Sequence, residues 1–247
     1  MSLPRVIILA DGQGSFTGEL SATRHQALLP VDEEPLLVRT VRQLAERNLH
    51  EITVVVGHER AGIEQALAPW RDQVDFAFHA GYTDKANLGS VLAGLAGSAA
   101  PALMLEGAII FDDDAMDRIA EVAERDDSVW FTCGRLRSPH AGGILRAERT
   151  GWIADLRYMA AYENRFSTYR RLLGPTLVGP REMPVFYSLL RETAARTTAQ
   201  SYLMPWGRHL RELPARDCDL GDCRTATFDS PATYRRCCEL FSHRVPV

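Results

Sequence analysis

Val6-Ile7-Ile8-Leu9-Ala10-Asp11-Gly12-Gln13-Gly14-Ser15 is the stretch from which the fold can be read. A short apolar run rich in β-branched side chains empties directly into a turn with two glycines. Such a run reads as a strand buried on both faces, and Asp11 to Ser15 closes it. Gly12 and Gly14 permit positive φ and let main-chain N–H groups approach a phosphate or a base closely. Alone, G-x-G after a strand is equally the mark of a simple tight turn. The neighbouring segments decide between the two.

Strand and helix patterns alternate downstream. Pro35–Asn48 places Leu36, Leu37, Val41 and Leu44 on one helical face. Glu51–Gly57 is a second buried strand, Ala61–Leu67 a helix and Val74–Phe78 a third strand. Asn87–Ala96 begins a helix with Ser90 in its first turn, and Ala102–Leu105 is a strand ending at Glu106-Gly107-Ala108. Asp114–Arg125 follows as a helix capped by Asp113 or Asp114. This order predicts an α/β fold, Rossmann-like, with a mixed but mainly parallel sheet flanked by helices.

Past residue 125 the pattern loosens. Ser128–Cys133, Gly143–Ala147 and Trp152–Tyr158 read as strands and Met183–Ala195 as a helix, so antiparallel additions are expected. A single domain over 1–247 is expected, with a regular half over 1–125 and a looser half over 126–247. Aromatics and arginines gather between Tyr158 and Tyr187. They suit a lid or a contact in a homo-oligomer, and equally a partly buried loop with solvated arginines.

Composition narrows the partners. With 247 residues, 46% hydrophobic and 24% charged, the chain can bury a core without disulfides. A net charge of −4 gives no general attraction to nucleic acid or anionic membrane, which leaves a small molecule as the expected partner. The Val6–Ala10 run is too short for a signal-peptide core or a membrane span. The odd set of five cysteines then points to a reduced, cytoplasmic protein. Cys218, Cys223, Cys237 and Cys238 lack the paired spacing of a zinc site. Lys85 is the one lysine, so chemistry needing a side-chain ammonium has one candidate.

In an open α/β sheet ligands bind beyond the carboxyl ends of the strands, which brings Asp11–Ser15, Tyr82–Ser90 and Glu106–Ala108 together. Here the sequence resembles the nucleotidyltransferases that activate sugars and phosphorylated alcohols with a nucleoside triphosphate. Val6 to Ser15 is similar to their opening V-I-I-L-A-A-G-x-G-S. Thr23-Arg24-His25-Gln26-Ala27-Leu28-Leu29-Pro30-Val31 resembles the segment with a lysine before A-L-L-P-V, and Pro35-Leu36-Leu37 and Ile52 to Gly57 follow in order. Thr23 with His25, together with Tyr82, Asn87 and Ser90 in a Y-x-x-x-x-N-x-x-S stretch, is most similar to phosphocholine and aminoethylphosphonate cytidylyltransferases. Thr227-Phe228-Asp229-Ser230-Pro231 resembles the E-x-D segment that returns an aspartate to the metal.

The resemblance implies nucleotide-binding roles for Leu9, Ala10, Asp11, Gly12, Gly14, Ser15, Asn87, Ser90 and Glu106. CTP or a related nucleotide and a small phosphorylated acceptor are the implied partners. Tyr202 and Trp206, with Met204 between them, occupy the place where the family sets aromatics near a cationic acceptor, a cation–π arrangement. Core packing is the alternative for Tyr202 and Met204.

Departures from the pattern concentrate on charge. Phe16 replaces an arginine, Gln26 the phosphate-binding lysine and Ala108 the first metal-binding aspartate, all groups that manage triphosphate charge. Gln26 itself and Lys85 are the catalytic candidates that remain. Glu106, two residues before Ala108 on a strand, projects to the same side and is the candidate to share Mg²⁺ with Asp229. Contact with ribose is its alternative. His25 either orients the loop after the glycine turn or takes part in proton transfer.

Three functions therefore compete. One is a metal-dependent transfer of a nucleoside monophosphate to a phosphate or phosphonate, with release of pyrophosphate. The others are a nucleotide-binding pseudoenzyme and a transferase using a nucleotide-linked donor.

Overall fold

The computed structural model describes residues 3–13, 25–84, 86–138 and 140–242. The first half is β1 (Arg5–Ala10), the short pair β2 (Pro30–Val31) and β3 (Glu34–Pro35), α1 (Leu36–Ala45), β4 (Ile52–Val56), α2 (Arg60–Ala66), β5 (Val74–Phe78), α3 (Leu88–Leu95), β6 (Ala102–Glu106), β7 (Ile109–Phe111) and α4 (Asp113–Ala123). The second half is β8 (Val129–Arg135), β9 (Gly142–Ala147), β10 (Ile153–Met159), β11 (Arg170–Val178), α5 (Met183–Ala194), α6 (Leu203–Arg208), β12 (Arg216–Asp219), β13 (Thr225–Thr227) and α7 (Pro231–Phe241).

One nine-stranded mixed sheet runs in the order β10-β9-β11-β6-β1-β4-β5, with β8 pairing β11 and β12 alongside. Strands β6, β1, β4 and β5 are mutually parallel, with Leu9 opposite Val55 on one side and Glu106 on the other. β11 enters antiparallel to β6, β8 and β9. Chain order moves outward from β1 to β4 and β5, and α3 then returns it to β6 on the opposite side of β1. That reversal is the topological switch point where α/β sheets open a crevice.

The two-residue strand period explains the layers. Val6 and Ile8 point into a core with Leu37, Val41 and Leu44 of α1 and Met116 and Ile119 of α4. Ile7 points to the other face, against Val91 and Leu95 of α3, Phe186 and Leu190 of α5 and Trp206 of α6. Gly94 is required by this packing, since a Cβ there would stand 2.4 Å from Ile7 Cγ2.

Two expectations need correction. The stretch from Tyr158 to Tyr187 is no simple loop, because nine of its residues form β11, in contact with three other strands. Register shifts either side of Leu172, and Gly174 at φ 120°, let a strand with loop-like composition join the sheet. The cap of α4 is Asp112 rather than Asp113 or Asp114. Its backbone is extended and its Oδ1 accepts from Ala115 N at 2.9 Å.

Candidate active site

A cleft of about 970 Å³ opens at the carboxyl ends of β1 and β6. Leu9 to Gln13 form one wall, Tyr82 to Ser90 a second, and Glu106 to Ile109 the floor. Tyr158, Gln200, Ser201 and Met204 close the far side, while Thr227 and Phe228 close the near one. The three segments expected to converge do so, with Lys85 in the second lying outside the described residues. Gly14, Ser15 and Phe16 also lie outside them.

Asp11 is the most constrained polar residue of the site. It is buried at the end of β1, where its Oδ2 accepts from His79 Nδ1 at 2.6 Å and from Ser90 Oγ at 2.7 Å. A carboxylate only accepts, so the His79 proton facing it sits on Nδ1. His79 follows β5, and its Nε2 lies where glycines leave room: a Cβ on Gly89 would come within 2.5 Å of it, and one on Gly81 within 2.9 Å. Gly57, at the end of β4, is equally obligatory. A Cβ there would meet Tyr82 Cβ at 2.3 Å and the Asp11 carbonyl oxygen at 2.8 Å.

His25 anchors the glycine turn. Its Nδ1 accepts from Ala27 N at 3.1 Å, so the neutral ring carries its proton on Nε2, which donates to Gly12 O at 2.8 Å. Burial lowers its pKa and outweighs the support of the Gly12 carbonyl. This geometry holds a loop in place. Gln26, a catalytic candidate, is buried with its Nε2 donating to Phe228 O at 2.7 Å. The amide thereby ties the start of the loop before α1 to the segment leading into α7. Asn87 precedes α3 without capping it, and its Oδ1 accepts from Tyr202 N at 3.2 Å.

Glu106 lies at the cleft floor, and burial raises its pKa. No hydrogen-bond donor to its carboxylate is seen among the described residues. Gly174 packs close enough that a Cβ there would stand 3.1 Å from the Glu106 carboxyl carbon. Asp229 sits apart: it is exposed, and its Oδ1 accepts from Thr233 Oγ1 at 3.1 Å beside the capping box of α7. β13 pairs antiparallel with β7, Thr227 opposite Ile109, and this register directs the Asp229 chain back towards Gly107 and Ala108. Among the described residues, no three His, Cys, Asp or Glu side chains gather into a group able to hold a metal ion.

Tyr202 and Trp206 are corrected from acceptor candidates to core residues. Trp206 is fully buried, 5.1 Å from the Trp130 ring and 4.9 Å from Phe186, and its Nε1 donates to Leu213 O at 2.8 Å. Tyr202 is equally enclosed and shares a 2.7 Å hydrogen bond with Thr176 Oγ1. Neither lines the cleft. The aromatic side chain on its far side is Tyr158, 46% exposed, whose hydroxyl reaches Ser201 Oγ at 3.4 Å. Sequence reasoning missed Tyr158 and His79 as site residues. The glycines at 81 and 89 were the available signal for His79.

A crevice at the switch point of a doubly wound sheet, walled by a glycine turn and the first turn of the returning helix, is where open α/β domains take their ligands. The chain belongs to the MobA-like NTP transferase domain family, whose pattern it matches over residues 6–198. It is 29% identical over 153 residues to the CMP-5'-(3-aminopropyl)phosphonate synthase of Streptomyces rubellomurinus (strain ATCC 31215), a match covering 61% of this chain. That match spans about a quarter of the relative's length (24%).

Among solved structures, the CTP:phosphocholine cytidylyltransferase of Streptococcus pneumoniae superimposes with a TM-score of 0.80 at 17% identity, covering 97% of this chain and 99% of that one. The inositol-1-phosphate CTP transferase of T. maritima gives 0.76 at 14% identity, covering 100% and 99%. These likenesses establish the fold. No helix among the described residues is long and apolar enough to cross a membrane.

Proposed function

We propose that this protein transfers a nucleoside monophosphate, with CTP as donor, to a small phosphate or phosphonate. An acceptor oxygen attacks the α-phosphorus, the new P–O bond forms, and the bond to the β-phosphate breaks to release pyrophosphate. The observation that carries the reading is the open cleft at the β1–β6 switch point in a chain of this family. The phosphonate-linked name of the Streptomyces relative supports the acceptor class, and the two CTP-dependent structural neighbours support the donor.

Glu106, on the cleft floor, is the residue that would hold Mg²⁺, with Asp229, which stands outside the cleft lining, joining it on a shift of its segment towards Ala108. They suit an ion that takes one or two carboxylates and fills its shell with substrate phosphate oxygens and water. The fit rests on Glu106: burial disfavours its charge, and a cation beside it would restore the carboxylate. Bound there, the ion would neutralise charge building on the pyrophosphate. Asn87 and Ser90 are the polar side chains of the α3 wall, and the Gly12 turn, held by His25, presents main-chain groups to the nucleotide.

A second reading, a nucleotide-binding protein without transfer activity, is favoured by Gln26. Its amide nitrogen is spent on the Phe228 carbonyl where the family carries a phosphate-binding lysine. Pyrophosphate release with CTP, Mg²⁺ and 3-aminopropylphosphonate or phosphocholine separates the two readings. Turnover abolished by Asp229→Asn supports transfer, whereas CTP binding with no pyrophosphate from any acceptor supports the second reading.

A further inference from the structure

We infer that Asp11 selects the base, admitting one whose amino group stands at the pyrimidine 4-position or the purine 6-position, cytosine or adenine, and rejecting uracil and guanine, which carry a carbonyl oxygen there. The inference rests on the nucleotide-binding reading of the cleft and adds the residue that makes the choice. Where the family's opening motif has a second alanine, this chain has a carboxylate on the cleft wall.

The carboxylate's two oxygens are not equivalent. Oδ2 takes the His79 and Ser90 hydrogen bonds at 2.6 and 2.7 Å, which use both of its lone pairs. Oδ1 receives no donor among the described residues, so it is the acceptor left for a ligand. His79 cannot swing away easily, because its ring is enclosed against Gly81 and Gly89. A fixed, single acceptor on the cleft wall results.

The bases differ at the edge such an acceptor would read. Cytosine and adenine offer an amino group at N4 or N6, whereas uracil offers a carbonyl oxygen at the equivalent place and meets the carboxylate with like partial charge. Guanine pairs best with a carboxylate through N1–H and N2–H together, and that needs both oxygens. With Oδ2 saturated, guanine loses one of the two bonds and places O6 near the same charge. An unpaired polar group in an enclosed site is costly, which makes the discrimination sizeable.

Equilibrium binding of CTP, ATP, UTP and GTP, each with Mg²⁺, tests the idea in the whole chain and its Asp11→Asn variant. The parent should bind CTP or ATP about 10- to 100-fold more tightly than UTP and GTP. CTP and ATP as separate arms show which amino base the cleft accommodates. Asp11→Asn is nearly isosteric: its oxygen must still face the His79 and Ser90 donors, which turns the amide NH₂ towards the base. It should therefore bind UTP better than CTP, an inversion that a merely destabilised variant would not produce. Ser90→Ala frees a lone pair on Oδ2 and should raise GTP affinity relative to CTP. Equal affinity of the parent for all four nucleotides, or an unaltered order in Asp11→Asn, overturns the selector while leaving nucleotide binding intact. A parent that binds none of the four overturns the nucleotide reading, and the selector with it.

Discussion

Replacing Trp206 by phenylalanine asks whether this ring packs the core or meets the acceptor. The side chain is fully buried between Trp130 and Phe186, with Nε1 bonded to the Leu213 carbonyl. Truncating a buried Trp to Ala costs roughly 3–5 kcal/mol, and phenylalanine keeps enough of the ring to reduce the packing loss to about 1–2 kcal/mol. Leaving the Leu213 carbonyl without its donor adds about 1–3 kcal/mol. A net loss of about 2–5 kcal/mol still leaves a domain in the middle of the ordinary stability range folded at room temperature.

At this chain length each kcal/mol lowers the melting temperature by about 2–4 °C, so a drop of about 4–20 °C is expected. Thermal unfolding followed by circular dichroism gives that number. Acceptor KM, or acceptor affinity where turnover is absent, is then measured well below the variant's transition and should match the parent. A melting temperature within about 2 °C of the parent, combined with an acceptor KM raised about tenfold, would refute the core assignment and return the ring to the acceptor.

Glu106→Gln should stabilise the protein at pH 8 by about 0.5–2 kcal/mol, because it replaces a carboxylate whose charge burial disfavours. Its folded pKa is raised above the ordinary 4.5, so this group's contribution is fully present below that value and is lost as pH rises through the folded pKa. The gain should therefore vanish near pH 4, and a variant that melts lower at pH 8 would show that the carboxylate is ionised and partnered. His25 has the opposite sign: its pKa is lowered from 6.5, so its contribution is present above 6.5 and is lost as pH falls through the folded value. His25→Gln should flatten the parent's loss of stability on acidification below pH 6.5, and parallel curves for the two proteins would remove His25 as the source. Gly57→Ala should cost about 1–3 kcal/mol by overpacking and weaken nucleotide binding, because the new Cβ collides with Tyr82 and Asp11. Calorimetric titration with CTP reads the effect, and an unchanged affinity would detach this contact from the site.

The parallel half of the sheet was legible because its strands are buried on both faces. Val6 to Ala10 and Ile52 to Val56 leave no apolar–polar alternation to misread, and each ends at a glycine or a polar turn. β11 was not legible. Its arginines at 170 and 171 and its Gly174-Pro175 pair carry loop chemistry, and its place depends on partners distant in sequence. The same limit applies within the site. Gly12, Ser90 and Glu106 follow from strand-end geometry, but spacing cannot distinguish an aromatic box from a packed core. Tyr202 and Trp206 therefore turned inward, while Tyr158, at the end of a strand, faces the cleft. Asp112 was obscured by its neighbours: among three consecutive aspartates only backbone conformation identifies the cap.

The two ends of the cleft are finished to different degrees, and this bears on the choice between transfer and binding alone. Around Asp11 the wall is tightly bonded: Oδ2 is held by His79 and Ser90, and the main-chain oxygen accepts from His58 N at 2.8 Å. Such preorganisation suits recognition of an uncharged, planar group. Towards Ala108 the situation reverses, since Glu106 lies there, Asp84 lines the neighbouring wall, and no arginine or lysine is among the described residues lining the cleft. A triphosphate entering that end meets carboxylates in a poorly solvated space, where like charges repel more strongly than in water. Its charge has to be met by a metal ion, by Lys85 or by the segment after the glycine turn. Selectivity for the base and competence for transfer thus depend on separate parts of the site, so tight, base-selective nucleotide binding would be compatible with either function, and only pyrophosphate release reports on the second part.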